Sequence, residues 1–597
     1  MTLLLRAARL ALAAAVLSAA MPACFTAGGG TAPPPDTFYF PTGLAVSTGG
    51  NVLYAINSDF DLQWNGGTLQ TYDLFQIRQD AATLIAANAI GATSAPAGIP
   101  FLDPWQGGCP DEPPPPTNDL SGIGVPVGES CAPPVDSTSY VRDSAIVGAF
   151  ATDLEVAAIG GSRLFAPVSG NATVTWADVT VDDPTVAPPA GADKNAYPPY
   201  AISCNQDSDG RCGSDHETGD DPNSTKNSRN LTMPGEPFGM AQSQDGTVMA
   251  VTSETDTKTS LLTTGLPPSN PIADVPTMQF VLDGMPNGGV ALAAVPHDPY
   301  TYPPPCELVG DAPPCVRPAF LQTNRGSAEV DLLRFYDDDG TCTSAPCTAS
   351  SPTQYRPYLE KERAYQITTN GGGSDSRGIV IDPSPRIRCE AQYPESDLAD
   401  REACATQQFA RIFIANRTGP TIVVGHLGSP STANDGTYDP DQVQWIGNVS
   451  LTVGPSKLFL APIVEPDYPG ATTGHYALRL FVVCYDSNAI FIYDPDDLDS
   501  PTGAIPTGLV YTGAGPYAMA FDPFSFEDAA LGKEVPLDPK QDPALGLKQY
   551  RFAYVASFTH SYVQMIDLDQ ASPTETTQPT FESIVFTLGK PVQPKGQ

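Results

Sequence analysis

Pro41-Thr42-Gly43-Leu44-Ala45-Val46-Ser47, then Asn51-Val52-Leu53-Tyr54-Ala55-Ile56-Asn57, then Thr68-Leu69-Gln70-Thr71-Tyr72-Asp73-Leu74 is the stretch that decides the fold. A Gly/Pro turn opens an alternating run, and two further β-rich runs follow, each bounded by turn residues. The pattern returns at Pro237-Phe238-Gly239-Met240-Ala241-Gln242-Ser243 with 245–251, and again at Gly515-Pro516-Tyr517-Ala518-Met519-Ala520-Phe521-Asp522 with 552–557 and 562–568. Weaker copies run over 162–168 with 172–179, 288–295 with 319–324 and 329–336, 378–382 with 411–416 and 421–424, and 458–461 with 478–483 and 489–493. Seven units result, unevenly spaced because loops are inserted between strands, and helical periodicity is nearly absent. Short strands at a recurring interval predict an all-β chain, a single β-propeller of seven blades of antiparallel strands over residues 37–590. Two smaller β domains divided near residue 235 are the alternative.

The unit P-x-G-x-A-x-S, followed by V-L-Y-A-I-N and T-L-Q-T-Y-D-L, resembles the blade of YVTN-type β-propellers, which include YncE-like surface proteins. It is also similar in scaffold to the seven-bladed lactonase family. The resemblance implies a ring closed by strands from both chain ends, with Ile584-Val585-Phe586-Thr587-Leu588-Gly589 beside the strands at 38–46. None of the lactonase family's active-site residues has a match here, so the resemblance implies scaffold and not activity.

Composition narrows the partners. The 597 residues carry 30 Lys and Arg against 67 Asp and Glu, a formal charge of −37, and no basic stripe offsets it. A polyanion is repelled, which excludes nucleic acid. At the N-terminus, Arg6 and Arg9 precede an apolar run over 10–20, too short to span a bilayer but suited to a secretory signal. Met21-Pro22-Ala23-Cys24 resembles a bacterial lipobox, which implies a lipoprotein signal peptide over 1–23 and lipidation at Cys24. A flexible tether follows over 24–36, and 591–597 is a short tail. Cleavage after Ser18-Ala19-Ala20, leaving Cys24 as a thiol, is the alternative. Phe25 after the cysteine implies, by resemblance to lipoprotein sorting, delivery to the bacterial outer membrane, facing periplasm or cell surface, with the membrane engaged through the lipid anchor.

Ten of the 12 cysteines fall into neighbouring pairs: Cys109/Cys131, Cys204/Cys212, Cys306/Cys315, Cys342/Cys347 and Cys389/Cys404. Each pair sits in polar sequence, where a disulfide limits the entropy of a loop, and the set fits an exported protein. Cys484, inside Leu480-Phe481-Val482-Val483-Cys484, reads as a small buried hydrophobe. The pairs decorate insertions near 104–135, 182–234, 300–318, 340–373 and 386–407, and a further insertion, without cysteine, runs near 524–549. Long loops on a rigid scaffold are where binding resides.

The sharpest chemical motif is Asn205-Gln206-Asp207-Ser208-Asp209-Gly210-Arg211, flanked by Cys204 and Cys212. Oxygen side chains at alternate positions suit a hard cation, so Asn205, Asp207, Asp209, Asp215 and Glu217 are candidate calcium ligands, with a solvated acidic loop as the alternative. The clusters 337–340 and 494–499 read as turns in which Asp bonds its own backbone. His216, His297, His426, His475 and His560 are isolated, outside any HExxH or G-x-S-x-G motif, and yield no catalytic residue. The expected function is a non-enzymatic binding or scaffold module at the cell envelope, its partner an envelope protein or extracellular polymer. The alternatives are a lactonase-type hydrolase working in the central channel and a calcium-dependent adhesin.

Overall fold

A computed structural model describes residues 30–87, 98–102, 127–128, 132, 134–183, 189, 197–227, 229–266, 274–297, 316–336, 357–367, 374–428, 441–465, 476–523, 526–531, 551–570 and 580–589. Seven sheets follow one another along the chain, each of four antiparallel strands laid side by side in chain order. Blade 1 is Pro41–Val46, Val52–Asn57, Gly67–Asp73 and Val141–Val147. Blade 2 is Glu155–Val156, Arg163–Val168, Thr173–Asp178 and Glu217–Thr218, and blade 3 is Pro237–Gln242, Val248–Ser253, Lys258–Thr263 and Thr277–Asp283. Blade 4 is Gly289–Ala294, Ala319–Asn324, Glu329–Tyr336 and Tyr358–Gln366, and blade 5 is Ser374–Asp382, Ala410–Thr418, Thr421–Leu427 and Val443–Ser450. Blade 6 is Lys457–Val464, Tyr476–Cys484, Ala489–Tyr493 and Gly508–Tyr511, and blade 7 is Pro516–Phe521, Phe552–Ser557, Tyr562–Asp567 and Ile584–Leu588. First strands of successive blades touch around a ring, except that the first strand of blade 3 meets the second strand of blade 2, and that of blade 7 touches that of blade 1. The chain is a seven-bladed β-propeller.

Burial explains why the second strands were the clearest in the sequence. Val52–Asn57 is buried throughout, because both its faces are covered. Leu53 and Ala55 join a core shared with Ala518, Tyr554 and Val563 of blade 7, whereas Val52, Tyr54 and Ile56 join Leu164 and Ala166 of blade 2. Alternate side chains of one strand thus feed two neighbouring interfaces. The same holds around the ring, which has an apolar cluster at each of its seven interfaces. One of them joins Phe165 and Trp176 to Met240 and Met249, so residue 235 lies within a continuous packing and not between two domains.

The outer strands are less legible. Tyr358–Gln366, in a span expected to be an insertion, is the fourth strand of blade 4; its sequence YLEKERAYQ is largely charged and half-exposed, which hides the alternation. A helix, α1 (Leu74–Ala86), also runs against the expected absence of helices. Asp73 caps it by accepting from the Gln76 N–H at 3.0 Å, and it buries Leu74, Ile77, Ala81, Leu84 and Ile85.

Ring closure differs from the expectation of shared strands. Ile584–Leu588 pairs with Tyr562–Asp567 of its own blade, and blade 1 is complete without it. Closure comes instead from side-chain packing and from an excursion out of blade 1. Helix α1 packs on the last strand of blade 7, and its Arg78 Nη1 lies 3.3 Å from Asp522 Oδ1. Beyond it, Pro134–Val135 adds a fifth, parallel strand to blade 7, and Val127–Gly128 does the same for blade 6. These additions cover two sheet edges that would otherwise be free to pair with another chain.

Of the expected disulfides, Cys204–Cys212 and Cys389–Cys404 are formed, with Cα separations of 5.0 Å and 5.9 Å. The second ties helix α2 (Ser384–Glu390) to helix α3 (Leu398–Ala405). Cys109, Cys131, Cys306, Cys315, Cys342 and Cys347 lie outside the described residues, as do the signal segment, Cys24 and the tail. Cys484 is free and fully buried, and burial raises its thiol pKa well above the usual range.

Candidate functional site

One end of the central channel opens into a cavity of about 620 Å³. Two rings of equivalent residues surround this end, each blade contributing one side chain to each ring. The inner ring is the middle residue of the P-x-G turn and its counterparts: Thr42, Thr152, Phe238, Val290, Arg377, Lys457 and Tyr517. The outer ring stands at the end of each second strand or in the turn that leaves it: Ser58, Ser169, Glu254, Arg325, Arg417, Tyr485 and Phe558. All fourteen line the cavity except Val290 and Arg325, and Arg325 lines an adjoining one of about 490 Å³.

Local backbone geometry aims the inner ring. Two residues before it, Phe40, Phe150, Glu236 and Asp375 have φ of 49°, 58°, 50° and 65°, and Gly288 and Gly515 have 78° and 67°. A left-handed non-glycine residue costs on the order of 1 kcal/mol, and four of them stand at this one repeated place. The ladder then slips between Pro41 and Gly43, Gly289 and Ala291, Ser376 and Gly378, and Pro516 and Ala518. A bulge leaves its residue without a ladder partner and turns the side chain out of the sheet. The glycine that follows has its own role: a Cβ at Gly43 would lie 2.6 Å from the backbone nitrogen of Leu154, so only glycine lets blade 2 approach this closely.

The rings are chemically divided. In blades 1 and 2 the hydroxyls clasp the next blade: Thr42 Oγ1 donates to the Ala151 carbonyl at 2.8 Å, Thr152 Oγ1 to Phe238 at 2.7 Å and Ser169 Oγ to Pro237 at 2.8 Å. Ser58 Oγ, also buried, has no such partner. Beside it, burial pushes the Asp59 carboxyl up to about 7. In blades 4 to 6 the cations are matched to carboxylates. Lys457 Nζ is 3.5 Å from Asp153 Oδ2, Arg377 Nε is 2.6 Å from Asp375 Oδ1, and Arg417 takes Asp486 through Nε at 3.0 Å and Nη2 at 2.8 Å. Arg325 pairs with Glu254 and lies 3.4 Å from Asp375. An aromatic arc runs from blade 6 through blade 7 into blade 1. Phe558 is 5.0 Å from Phe40, 5.4 Å from Phe60, 5.9 Å from Tyr517 and 6.1 Å from Tyr485, and Phe60 is 5.9 Å from Phe150. Lys457 joins the two arcs, its ammonium 4.5 Å above the Tyr517 ring.

Comparison with solved structures finds similar chains at low identity. The hydrazine synthase of Kuenenia stuttgartiensis matches over 91% of this chain and 99% of its own, at 10% identity and a TM-score of 0.40. The periplasmic gluconolactonase of Pseudomonas aeruginosa matches over 80% and 86%, at 10% identity and 0.36. The Cps50 (Swd1) β-propeller domain of Myceliophteria thermophila matches over 88% and 97%, at 9% and 0.36. The chain matches no protein-family model and no curated protein. At such identities no activity carries over.

The residues singled out in the sequence lie elsewhere. The 205–211 loop caps the edge of blade 1, where Ile146 N–H donates to the Gly210 carbonyl. Asp207 Oδ1 accepts from the backbone N–H groups of Asp209 and Arg211 at 2.9 Å and 3.0 Å, and Asn205 donates to Asp215 at 2.6 Å. Glu217 is apart from them in the outer strand of blade 2, where burial pushes its carboxyl up to about 7. Among the described residues, no group of three His, Cys, Asp or Glu side chains is arranged to hold a metal ion. His216 stacks on Trp176 and bonds its carbonyl, and His297 bonds buried Asp441 at 2.9 Å. His426 stacks on Phe409, and His560 Nδ1 accepts from the Ala514 N–H at 3.0 Å. His475 lies outside the described residues. The 494–499 turn does bond its own backbone, Asp494 accepting from the Asp496 N–H at 2.9 Å, and it also receives buried Arg411. The mouth residues were missed, although Thr42 and Phe238 stand at the centre of the P-x-G turn that opens their repeats.

Proposed function

We propose that this protein is an exported, lipid-anchored β-propeller of the bacterial cell envelope that works as a non-enzymatic binding module, taking its ligand at the mouth of the central channel. One observation carries the reading. At equivalent positions of the repeat, six of the seven blades place hydroxyl, charged and aromatic side chains around one cavity. Lipidation at Cys24 and export to the outer membrane rest on the N-terminal sequence.

The test is cross-linking on intact cells followed by capture of the tagged protein, in wild type and in a variant with Phe60 and Arg377 both changed to alanine. A co-purifying envelope component present with wild type and lost with the variant is expected. Equal capture by both overturns the mouth as the site. In parallel, Cys24→Ser is expected to move the protein from the membrane fraction to the soluble one.

A lactonase-type hydrolase is the second reading, favoured by Glu155. This residue sits on the innermost strand of blade 2, hydrogen-bonded by Gln242 at 3.0 Å, and burial pushes its carboxyl up to about 8. A carboxylic acid that keeps its proton at neutral pH is the form a general acid needs. Lactone turnover by wild type that Glu155→Gln abolishes would establish it.

A further inference from the structure

We infer that the mouth of the channel binds a neutral polyhydroxylated ring, a saccharide unit of a longer glycan, and this rests on the reading of the mouth as the binding site. Three features of the cavity point to that chemistry.

The first is the aromatic arc. Phe60 is 57% exposed at the rim, in edge and tilted contact with Phe40, Phe150 and Phe558. Leaving a phenylalanine in water on an exported chain of charge −37 has a cost that a partner with an apolar face would remove. The C–H face of a pyranose ring is such a partner, flat, and matched in polarity to the electron-rich face of an aromatic ring.

The second is the state of the charged arc. Arg377, Arg417 and Lys457 each already hold a carboxylate, Asp375, Asp486 and Asp153 respectively. A phosphate or carboxylate ligand would have to displace one of these, and the freed carboxylate would remain beside it as a like charge. An alkyl ammonium would face the converse conflict with the cations. A hydroxyl meets neither, because it donates to a carboxylate oxygen and accepts from a guanidinium at once. The paired arc is therefore an array of fixed donors and acceptors with little surplus charge, suited to a ring that carries several hydroxyls.

The third is Ser58 Oγ. It is buried in the cavity wall without a hydrogen-bond partner, next in sequence but one to Phe60, and an unmade hydrogen bond at that position is one that a ligand hydroxyl can supply.

The test is calorimetric titration of the full-length protein with cellohexaose, chitohexaose and maltohexaose, and with hexagalacturonate as an acidic control. Saturable binding of at least one neutral hexaose is expected, weakened about tenfold by Phe60→Ala and by a smaller factor by Ser58→Ala. Both variants are expected to keep the wild-type unfolding midpoint, since Phe60 is exposed and Ser58 Oγ bonds nothing. Failure of all three neutral hexaoses overturns the inference, as does hexagalacturonate binding more tightly than any of them. If the hexaoses fail while the Phe60 and Arg377 variant still loses capture on cells, the mouth stands as the site and the saccharide assignment alone falls. If capture survives in that variant, the site reading falls with it.

Discussion

Replacing Glu155 by glutamine should stabilise the protein, and by an amount that depends on pH. Glu155 lies between the innermost strands of blades 2 and 3, with Gln242 Nε2 donating to its Oε2 at 3.0 Å. Burial is the main reason its carboxyl rises from 4.5 to about 8; Asp153 adds to the rise, while Gln242 and Lys457 oppose it. For an acid whose folded pKa is raised, stability is fully present below the unfolded value and is lost as pH rises through the folded one. The window is therefore pH 4.5 to 8. At pH 7 the unfolded chain would release this proton and the folded chain would keep it, which favours unfolding by on the order of 2–3 kcal/mol. Glutamine has the same shape, still accepts from Gln242 and has no proton to lose. Urea unfolding of wild type and Glu155→Gln at pH 5 and pH 8 should show the variant gaining on wild type as pH rises, by about 3–4 kcal/mol across that interval. A difference that stays flat with pH, or a variant that loses ground at pH 8, would refute the argument that Glu155 is held protonated.

Three other perturbations probe the scaffold. Arg411 is fully buried and contacts Asp382, equally buried, at 2.8 Å, so Arg411→Met strands a buried carboxylate and should cost about 3–5 kcal/mol in the same assay. Asp441 is held at about 2, because hydrogen bonds and charge from His297 and Arg334 outweigh its burial. Its contribution is present above pH 4 and lost as pH falls toward 2; Asp441→Asn should therefore destabilise by about 2 kcal/mol at neutral pH and by progressively less in acid. Replacing Cys204 and Cys212 with serine opens a loop of sequence separation 8 and should cost about 2.5 kcal/mol, read as a lower unfolding midpoint.

The interior strands were legible because their signal is local. Val52–Asn57 and its counterparts alternate between two interfaces, and that alternation is visible within six residues. Turn residues between such runs then counted the blades. Outer strands such as Tyr358–Gln366 escaped because half-exposed edges tolerate charge on either face. Helix α1 escaped because it joins blade 1 to blade 7, and its apolar face has a partner only once the ring has closed.

The candidate site shows the same division more sharply. The 205–211 loop attracted attention because its oxygen side chains alternate within one short segment, where Asp207 Oδ1 accepts from the backbone of its own turn. The mouth residues are separated by whole blades: Thr42 and Tyr517, or Ser58 and Phe558, share one cavity across most of the chain. By itself, the sequence determined an acidic chain of seven β repeats, and the turn, P-x-G in blades 1 and 3, that opens the inner strand. Only the tertiary structure decided which residue of that turn faces the cavity. Its side chain is aimed by a left-handed residue and a bulge, and its neighbours are supplied by the closing of a ring that no single repeat contains.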